Sequence, residues 1–162
     1  MSSKTRKAFL DDAYLTACEG KVVAINERGG IILDCTNFYA TSGGQPGDSG
    51  HLERADGSKI AIATTVNGSD KSEIVLVPAE GEPLPEVGET VTGHIDWERR
   101  YKLMRMHTAC HLLSVVCPYP ITSANVGAEE SRVDFDIPEA GVTKEDVTEQ
   151  LMALVNGNHP IY

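Results

Sequence analysis

Residues 21–35 read KVVAINERGGIILDC, and this stretch carries the first strand pattern of the chain. One short apolar run extends from Lys21 to Asn26 and another from Ile31 to Cys35, with Gly29-Gly30 between them. Glycine adopts the positive φ angles that tight turns require, so a glycine pair between two apolar runs is typical of a β-hairpin. The stretch therefore predicts two strands joined by a tight turn.

Further short strands are predicted, each bounded by glycine or proline. A second hairpin has its turn at Asp56-Gly57, with Ile60 and Ile62 on the return strand. The remaining candidates are residues 73–77 (EIVLV) and residues 89–95 (ETVTGHI). Short strands at this spacing are typical of a small barrel, so we predict a β-barrel domain over residues 1–95.

The pattern becomes helical after residue 95. A helix is predicted from Trp97 to about Cys117, and its apolar face carries Trp97, Tyr101, Met104, Leu112 and Val115. Residues 132–137 (RVDFDI) alternate between apolar and polar positions, which predicts a strand. A second helix is predicted from about Lys144 to Asn156, with Thr143 as its N-cap and Gly157 as a left-handed residue at its end.

These elements predict an α+β protein in which a small N-terminal β-barrel precedes an incomplete two-layer α/β domain over residues 96–162. The stretch from Asn158 to Tyr162 resembles the start of a strand that has no partner in the sequence. An unfinished core exposes apolar surface and an unpaired strand edge, and such edges recruit other chains. We therefore expect self-association through the C-terminal domain.

Composition narrows the range of functions. No apolar run approaches the roughly 20 residues that span a bilayer, and no secretory signal follows the basic N-terminus. A cytoplasmic protein is therefore expected, with its few and unevenly spaced cysteines as thiols: Cys18, Cys35, Cys110 and Cys117. The net charge of −10 argues against broad, non-specific binding of nucleic acid.

A local cluster of basic residues runs against this acidic balance. Four of the 14 basic residues lie within seven positions: Arg99, Arg100, Lys102 and Arg105. Such a cluster is either a solvated helix face or a patch that meets phosphate groups.

His107 and His111 lie four residues apart on the predicted helix, in the sequence HTACH. Residues at this spacing share a helix face, so their imidazoles can bind one metal ion. Two half-buried histidines that hydrogen-bond within the protein also fit the pattern. Zinc-protease chemistry is excluded, because its general-base glutamate would stand where this chain has Thr108.

Residues 38–50 form a glycine-rich segment that reads FYATSGGQPGDSG. The segment is either a barrel loop or a loop whose backbone and hydroxyl groups approach a ligand closely, as glycine permits. It is not a phosphate-binding P-loop, since no Gly-Lys-Ser/Thr follows.

Three segments in order resemble the AlaX family of alanyl-tRNA editing proteins and the editing domain of alanyl-tRNA synthetase. Residues 38–50 resemble the family's FYPTSGGQxxDxG motif, with Ala40 in place of proline. Residues 96–113 resemble its zinc-binding helix, and residues 131–136 resemble the strand that follows. The resemblance implies a β-barrel with an α/β editing core, of which residues 96–162 form the first part.

The resemblance also implies a site and a reaction. Zinc ligands would be His107 and His111, and catalytic residues would be Thr41 and Gln45. The implied substrate-binding residues are Ser42, Gly43, Gly44, Arg99, Arg100, Lys102 and Arg105. The implied reaction is zinc-dependent hydrolysis of mischarged seryl- or glycyl-tRNA for alanine, with the acceptor end of that tRNA as partner.

In the family the other zinc ligands come from a later Cys-x-x-x-His motif, which this sequence lacks. The chain is therefore expected to be truncated before that motif and to be inactive by itself. Two alternatives stay open. One is a non-catalytic module of the same fold that binds tRNA or a synthetase, and the other is a fragment of a synthetase's own editing domain.

Overall fold

A computed structural model describes residues 4–139 and 141–161 of the chain, which divides into two units. The first unit comprises Met1–Ser42 and Pro46–Arg100, and the second comprises Gly43–Gln45 and Tyr101–Tyr162. Three residues of the glycine-rich segment thus belong to the second unit, although their neighbours in sequence belong to the first. No helix within the described residues is both long and apolar enough to cross a membrane.

The first unit is built around a closed barrel. Its elements in the described part of the chain are β1 (Arg6–Lys7), α1 (Ala8–Asp11), β2 (Ala17–Ile25), β3 (Ile31–Leu33), β4 (Cys35–Thr36), β5 (Gly50–Arg54), β6 (Lys59–Asn67), β7 (Ile74–Pro78) and β8 (Thr90–Ile95). The barrel order is β2-β3-β7-β6-β5-β8, and each neighbouring pair is antiparallel. Closure pairs both edges of every barrel strand, so the predicted barrel is confirmed.

Glycine turns join the strands where the sequence predicts them. Gly29 has a φ of 78°, and the side-chain oxygen of Asn26 accepts hydrogen bonds from the backbone N–H groups of Arg28 and Gly30. Gly57 has a φ of 82° in the second turn. Both predicted hairpins are confirmed, as β2–β3 and β5–β6. The short elements β1, α1 and β4 were not predicted.

The barrel core forms from the inward positions of its strands. The buried cluster consists of Val22, Ile31, Leu33, Phe38, Ala40, Leu52, Ile60, Ile62, Ile74, Leu76, Val91 and Ile95. Burial of such side chains is the main favourable contribution to folding. Phe38 and Ala40 are members of this cluster, so the glycine-rich segment is anchored in the barrel at its start.

The second unit takes in most of one long helix. Helix α2 (Trp97–Val116) begins in the first unit, and the later elements are β9 (Ile121–Asn125), β10 (Arg132–Phe135) and α3 (Lys144–Asn156). Strands β9 and β10 are antiparallel, with Val133 opposite Ala124. Both predicted helices and the strand at Arg132–Phe135 are confirmed. Strand β9 was not predicted, because its short sequence ITSAN lacks a clear apolar alternation.

The predicted apolar face of α2 is wrong at two positions. Tyr101 is 42% exposed and Val115 is 67% exposed, whereas Leu103 is 1% exposed. All three residues lie in the second unit, so the helical spacing alone did not identify which face of α2 is buried there.

The N-terminus of α3 matches the prediction, whereas its C-terminus does not. The hydroxyl of Thr143 accepts a hydrogen bond of 3.2 Å from the backbone N–H of Asp146, which confirms the N-cap. Gly157 has a φ of −66°, and its N–H still bonds to the Ala153 carbonyl, so the predicted left-handed glycine is wrong. The positive φ lies one residue later, at Asn158 (46°), since asparagine tolerates this region better than most residues.

The four cysteines are free thiols in the structure. Cys18 and Cys35 lie close together on β2 and β4, with their Sγ atoms 3.7 Å apart. Burial, together with the neighbouring Cys35 thiol, raises the pKa of Cys18 to about 11. A thiol with so high a pKa is weakly nucleophilic at neutral pH, because the thiolate is the reactive form.

Candidate functional site

The histidine pair lies on one face of α2. The rings of His107 and His111 stack with their centroids 5.0 Å apart and their planes 18° from parallel. His107 is half-buried, and His111 is exposed. Burial is the larger cause that lowers the pKa of His107, and the charge of His111 is the second. The neutral imidazole, which is the form that binds metals, is therefore favoured at His107.

Gln45 holds the ring of His107 from the glycine-rich segment. Its Oε1 lies 2.8 Å from His107 Nδ1, and Gln45 is 4% exposed. An amide oxygen can only accept a hydrogen bond, so Nδ1 donates and Nε2 keeps its lone pair. This arrangement matches the outer hydrogen bond that usually orients a metal-binding histidine.

The two glycines before Gln45 have left-handed backbones, with φ values of 59° at Gly43 and 79° at Gly44. The carbonyl of Gly44 accepts a hydrogen bond of 2.8 Å from the N–H of Val126, just after β9. A Cβ atom at Gly44 would lie only 2.9 Å from the carbonyl oxygen of Ala124. Glycine is required here both for its φ angle and for this close approach to β9.

A cavity of about 200 Å³ lies beside the histidine pair within the second unit. Its lining consists of Gly43, His107, Cys110, His111, Ile121, Ala124, Val126 and Val133. A second concavity of about 240 Å³ is lined by Gln45, Met104, His107, Thr108 and His111. Both histidines therefore border two concave surfaces, where a small ligand could meet them. Sequence reasoning missed Ile121, Ala124 and Val126 because they belong to no motif, and it placed Val133 on a predicted strand without assigning it to the site.

The donor set fits a zinc ion in part. Two imidazoles at this helical spacing supply two ligands, and the Gln45 carbonyl supplies the outer hydrogen bond. Within residues 4–139 and 141–161, no third His, Cys, Asp or Glu side chain forms a metal-binding group with them. The described residues therefore provide half of the four-ligand shell that structural zinc sites use.

Thr41 and Ser42 lie in the first unit, where their polar groups form hydrogen bonds with neighbouring residues of the barrel. The Thr41 hydroxyl accepts a hydrogen bond from the N–H of Gly47 (2.9 Å) and donates one to the carbonyl of Thr65 (3.2 Å). The Ser42 carbonyl accepts a hydrogen bond of 3.1 Å from the Tyr39 hydroxyl. A structural role accounts for these contacts, and the catalytic role of Thr41 stays a prediction.

The basic cluster is divided between the units. Arg99 donates a hydrogen bond of 2.9 Å to the Gly47 carbonyl, and Arg100 is 3% exposed and lies 3.4 Å from the buried carboxylate of Asp48. In the second unit, Lys102 pairs with Glu129 at 3.4 Å, and Arg105 is exposed on α2. Lys102 and Arg105 are therefore better placed to meet phosphates than the buried Arg100.

Comparisons with known proteins match most of the chain. Residues 9–99 match the family model described as tRNA synthetases class II (A). The chain is 41% identical to the alanyl-tRNA editing protein AlaX-M of Methanosarcina mazei over 140 residues, which are 82% of this chain and 56% of that protein. It is 34% identical to AlaX-M of Methanosarcina acetivorans over 165 residues, with 97% of this chain and 67% of that protein covered.

The alanine–tRNA ligase of Pyrobaculum arsenaticum is a further relative. It is 43% identical over 110 residues, which cover 68% of this chain and 12% of the ligase. The chain thus spans about half the length of the AlaX-M protein of Methanosarcina mazei and a small part of the ligase.

Proposed function

Because the chain belongs to the family of AlaX-type alanyl-tRNA editing proteins, we propose that it supplies part of a site that hydrolyses mischarged aminoacyl-tRNA. The observation that carries this proposal is the hydrogen bond between Gln45 and His107. It joins the glycine motif to the histidine pair, and each of these motifs by itself is unspecific. The substrate would be seryl- or glycyl-tRNA for alanine, cleaved at its ester bond.

The histidine pair would hold zinc through ring nitrogens. Zinc, when bound, supplies a Lewis acid that polarises a carbonyl or lowers the pKa of a water to about 7. Gln45 fixes the tautomer and the direction of the His107 ring, so Nε2 is the atom presented to the ion.

The cavity would receive the amino acid of the substrate. Its volume of about 200 Å³ suits a small aminoacyl group, and its walls include the apolar side chains of Ile121, Val126 and Val133. Gly43 also lines the cavity and presents backbone rather than a side chain, which would leave room for the ester.

Lys102 and Arg105 would contact phosphates near the acceptor end of the tRNA. Phosphate contacts position a nucleic acid without reading its sequence, so exposed cations beside the site would orient the acceptor stem. A local patch of this kind is compatible with the net charge of −10, because the acidic residues elsewhere oppose non-specific binding.

A non-catalytic module that binds tRNA is the second candidate, favoured by the two-ligand donor set. The deciding experiment compares the 162-residue chain with a chain extended by a segment that carries Cys-x-x-x-His, using seryl-tRNA for alanine. We expect release of serine by the extended chain and its loss in His107→Ala. Hydrolysis that His107→Ala does not affect would refute the site, and tRNA binding without hydrolysis by the extended chain would support the module.

A further inference from the structure

Two more histidines lie side by side on the outside of the barrel, in the first unit. His51 on β5 and His94 on β8 are directly opposite each other in the register of the two strands. Their rings stack with centroids 4.8 Å apart and planes 21° from parallel. Both side chains face outward, because the adjacent Leu52 and Ile95 are buried in the core.

A carboxylate completes a group of three. Glu53 lies two residues after His51 on the same face of β5, and its Oε2 is 3.6 Å from Nε2 of His94. One ligand atom from each of the three residues lies within 4.8 Å of the others. Ligand atoms around a tetrahedral zinc ion are about 3.4 Å apart when the bonds to zinc are 2.0–2.1 Å. Side-chain movements of about an ångström would therefore bring these three atoms to the separation that zinc requires. Among the residues that the structure describes, this is the only such group.

The local charges favour the forms that bind a metal. Burial is the largest cause that lowers the pKa of His51, followed by the charges of His94 and Lys59, while Glu53 opposes them. The neutral imidazole is therefore favoured, and two stacked rings would repel each other if both were protonated. Lys59 lies opposite Glu53 on β6, and its positive charge would oppose the binding of a metal cation there.

We propose that His51, Glu53 and His94 form a second metal site, which binds a divalent transition-metal ion of the zinc class. Imidazole and carboxylate donors suit zinc, nickel and copper, whereas magnesium and calcium prefer shells made of oxygen alone. The side chains of His94 and Glu53 are 36% and 45% exposed, so water can complete the coordination. A bound ion would link β5 to β8 independently of the editing site.

Zinc titration calorimetry of the full chain carrying His107→Ala and His111→Ala tests this proposal. Removal of the α2 pair leaves the barrel group intact, and we expect saturable binding of one ion per chain. His51→Gln and His94→Gln should each weaken zinc binding by about tenfold or more, by analogy with the loss of supporting groups at metal sites. The matched control is His159→Gln, an exposed histidine outside both groups, and it should bind zinc as the parent does.

Thermal melts of the same variants give a second measurement. The parent in these comparisons is the chain that carries His107→Ala and His111→Ala. Zinc should raise the melting temperature of this parent and of its His159→Gln variant, because a ligand that binds only the folded state stabilises it. It should not raise the melting temperature of a His51→Gln/His94→Gln double variant. Non-saturable binding by the parent, unchanged affinity in His51→Gln, or equal competition by magnesium would each overturn the proposal.

Discussion

Nδ1 of His107 and Oε1 of Gln45 are 2.8 Å apart, although 62 residues separate them in sequence. The contact makes Gln45 the residue that determines which ring nitrogen His107 presents. The glycine motif and the histidine motif are therefore parts of one arrangement, and a change in either should be felt in the other.

Replacement of Gln45 with Met retains the size of the side chain and removes the acceptor. The His107 ring can then rotate and adopt either tautomer, so zinc affinity of the α2 pair should fall by about tenfold or more. Calorimetry in a chain that carries His51→Gln and His94→Gln isolates this pair. Gln150→Met, on exposed helix α3, is the control and should bind zinc normally. Equal affinity in the two variants would contradict the orienting role.

Gly44→Ala should destabilise the protein more than Gly57→Ala. Both positions have nearly the same φ, at 79° and 82°, so both variants carry a similar backbone strain of about 1–2 kcal/mol. Only Gly44 also brings its new Cβ against the Ala124 carbonyl, whereas nothing lies within 4 Å of a Cβ at Gly57. Overpacking should add about 1–3 kcal/mol at Gly44. Urea denaturation measures the difference in the free energy of unfolding. Equal destabilisation of the two variants would mean that β9 can move away from the new Cβ at no cost.

Arg100→Met should act on stability rather than on tRNA binding. It removes the guanidinium that lies 3.4 Å from the buried Asp48 carboxylate, and loss of one partner of a buried pair typically costs about 3–5 kcal/mol. The exposed pair of Arg132 and Asp134 provides a matched control, because Arg132→Met should cost less than about 1 kcal/mol. Denaturant unfolding compares the two variants. A stable Arg100→Met protein with weakened tRNA binding would instead indicate that Arg100 contacts tRNA phosphates.

Lys102→Gln and Arg105→Gln should weaken tRNA binding and reduce its dependence on salt. Each lost phosphate contact should lower the slope of log affinity against log salt by about 0.7–0.9. Lys144→Gln, at the start of α3, removes an exposed charge of the same sign and serves as the control. Thermal melts must accompany the titrations, because the arginine stem can also cover apolar surface. An unchanged slope in a stable double variant would remove this patch from the proposed tRNA site.

Helix α3 should drive self-association. None of its residues is buried, and its apolar side chains include Met152 at 46% and Val155 at 45% exposed. Contiguous exposed apolar surface marks an interaction site, so Met152→Lys with Val155→Lys should shift the protein towards monomer. Light scattering across a concentration series measures the shift, with Glu149→Lys as a charge-matched control. A monomeric parent at high concentration would contradict the prediction.

Features that depend on neighbours in sequence were predictable, and features that depend on distant partners were not. The hairpin at Gly29, the Thr143 cap and the extent of α3 each follow from a few adjacent residues. The prediction that Tyr101 and Val115 lie on the buried face of α2 was wrong, because burial along a helix depends on the distant elements that pack against it. Burial of Arg100 likewise depends on Asp48, which is far from it in sequence and gives no local signal.

The candidate site shows the same division. His107, His111 and Gln45 could be named from their motifs, but the hydrogen bond that joins them depends on a long-range contact. Ala124 could not be named as a cavity wall, since its strand carries no motif, and Val133 lies on a predicted strand whose contact with the cavity had no sequence signal.

The membership of Gly43–Gln45 in the second unit has a genetic consequence. A gene divided after Arg100 would leave Gln45 on one product and His107 on the other, so neither piece would inherit the pair. Recombination that exchanges whole segments between paralogues could not transplant the helical unit with its glycine partner in a single crossover. The coding segments of the two units should therefore be inherited together, and phylogenetic trees built from each segment should agree.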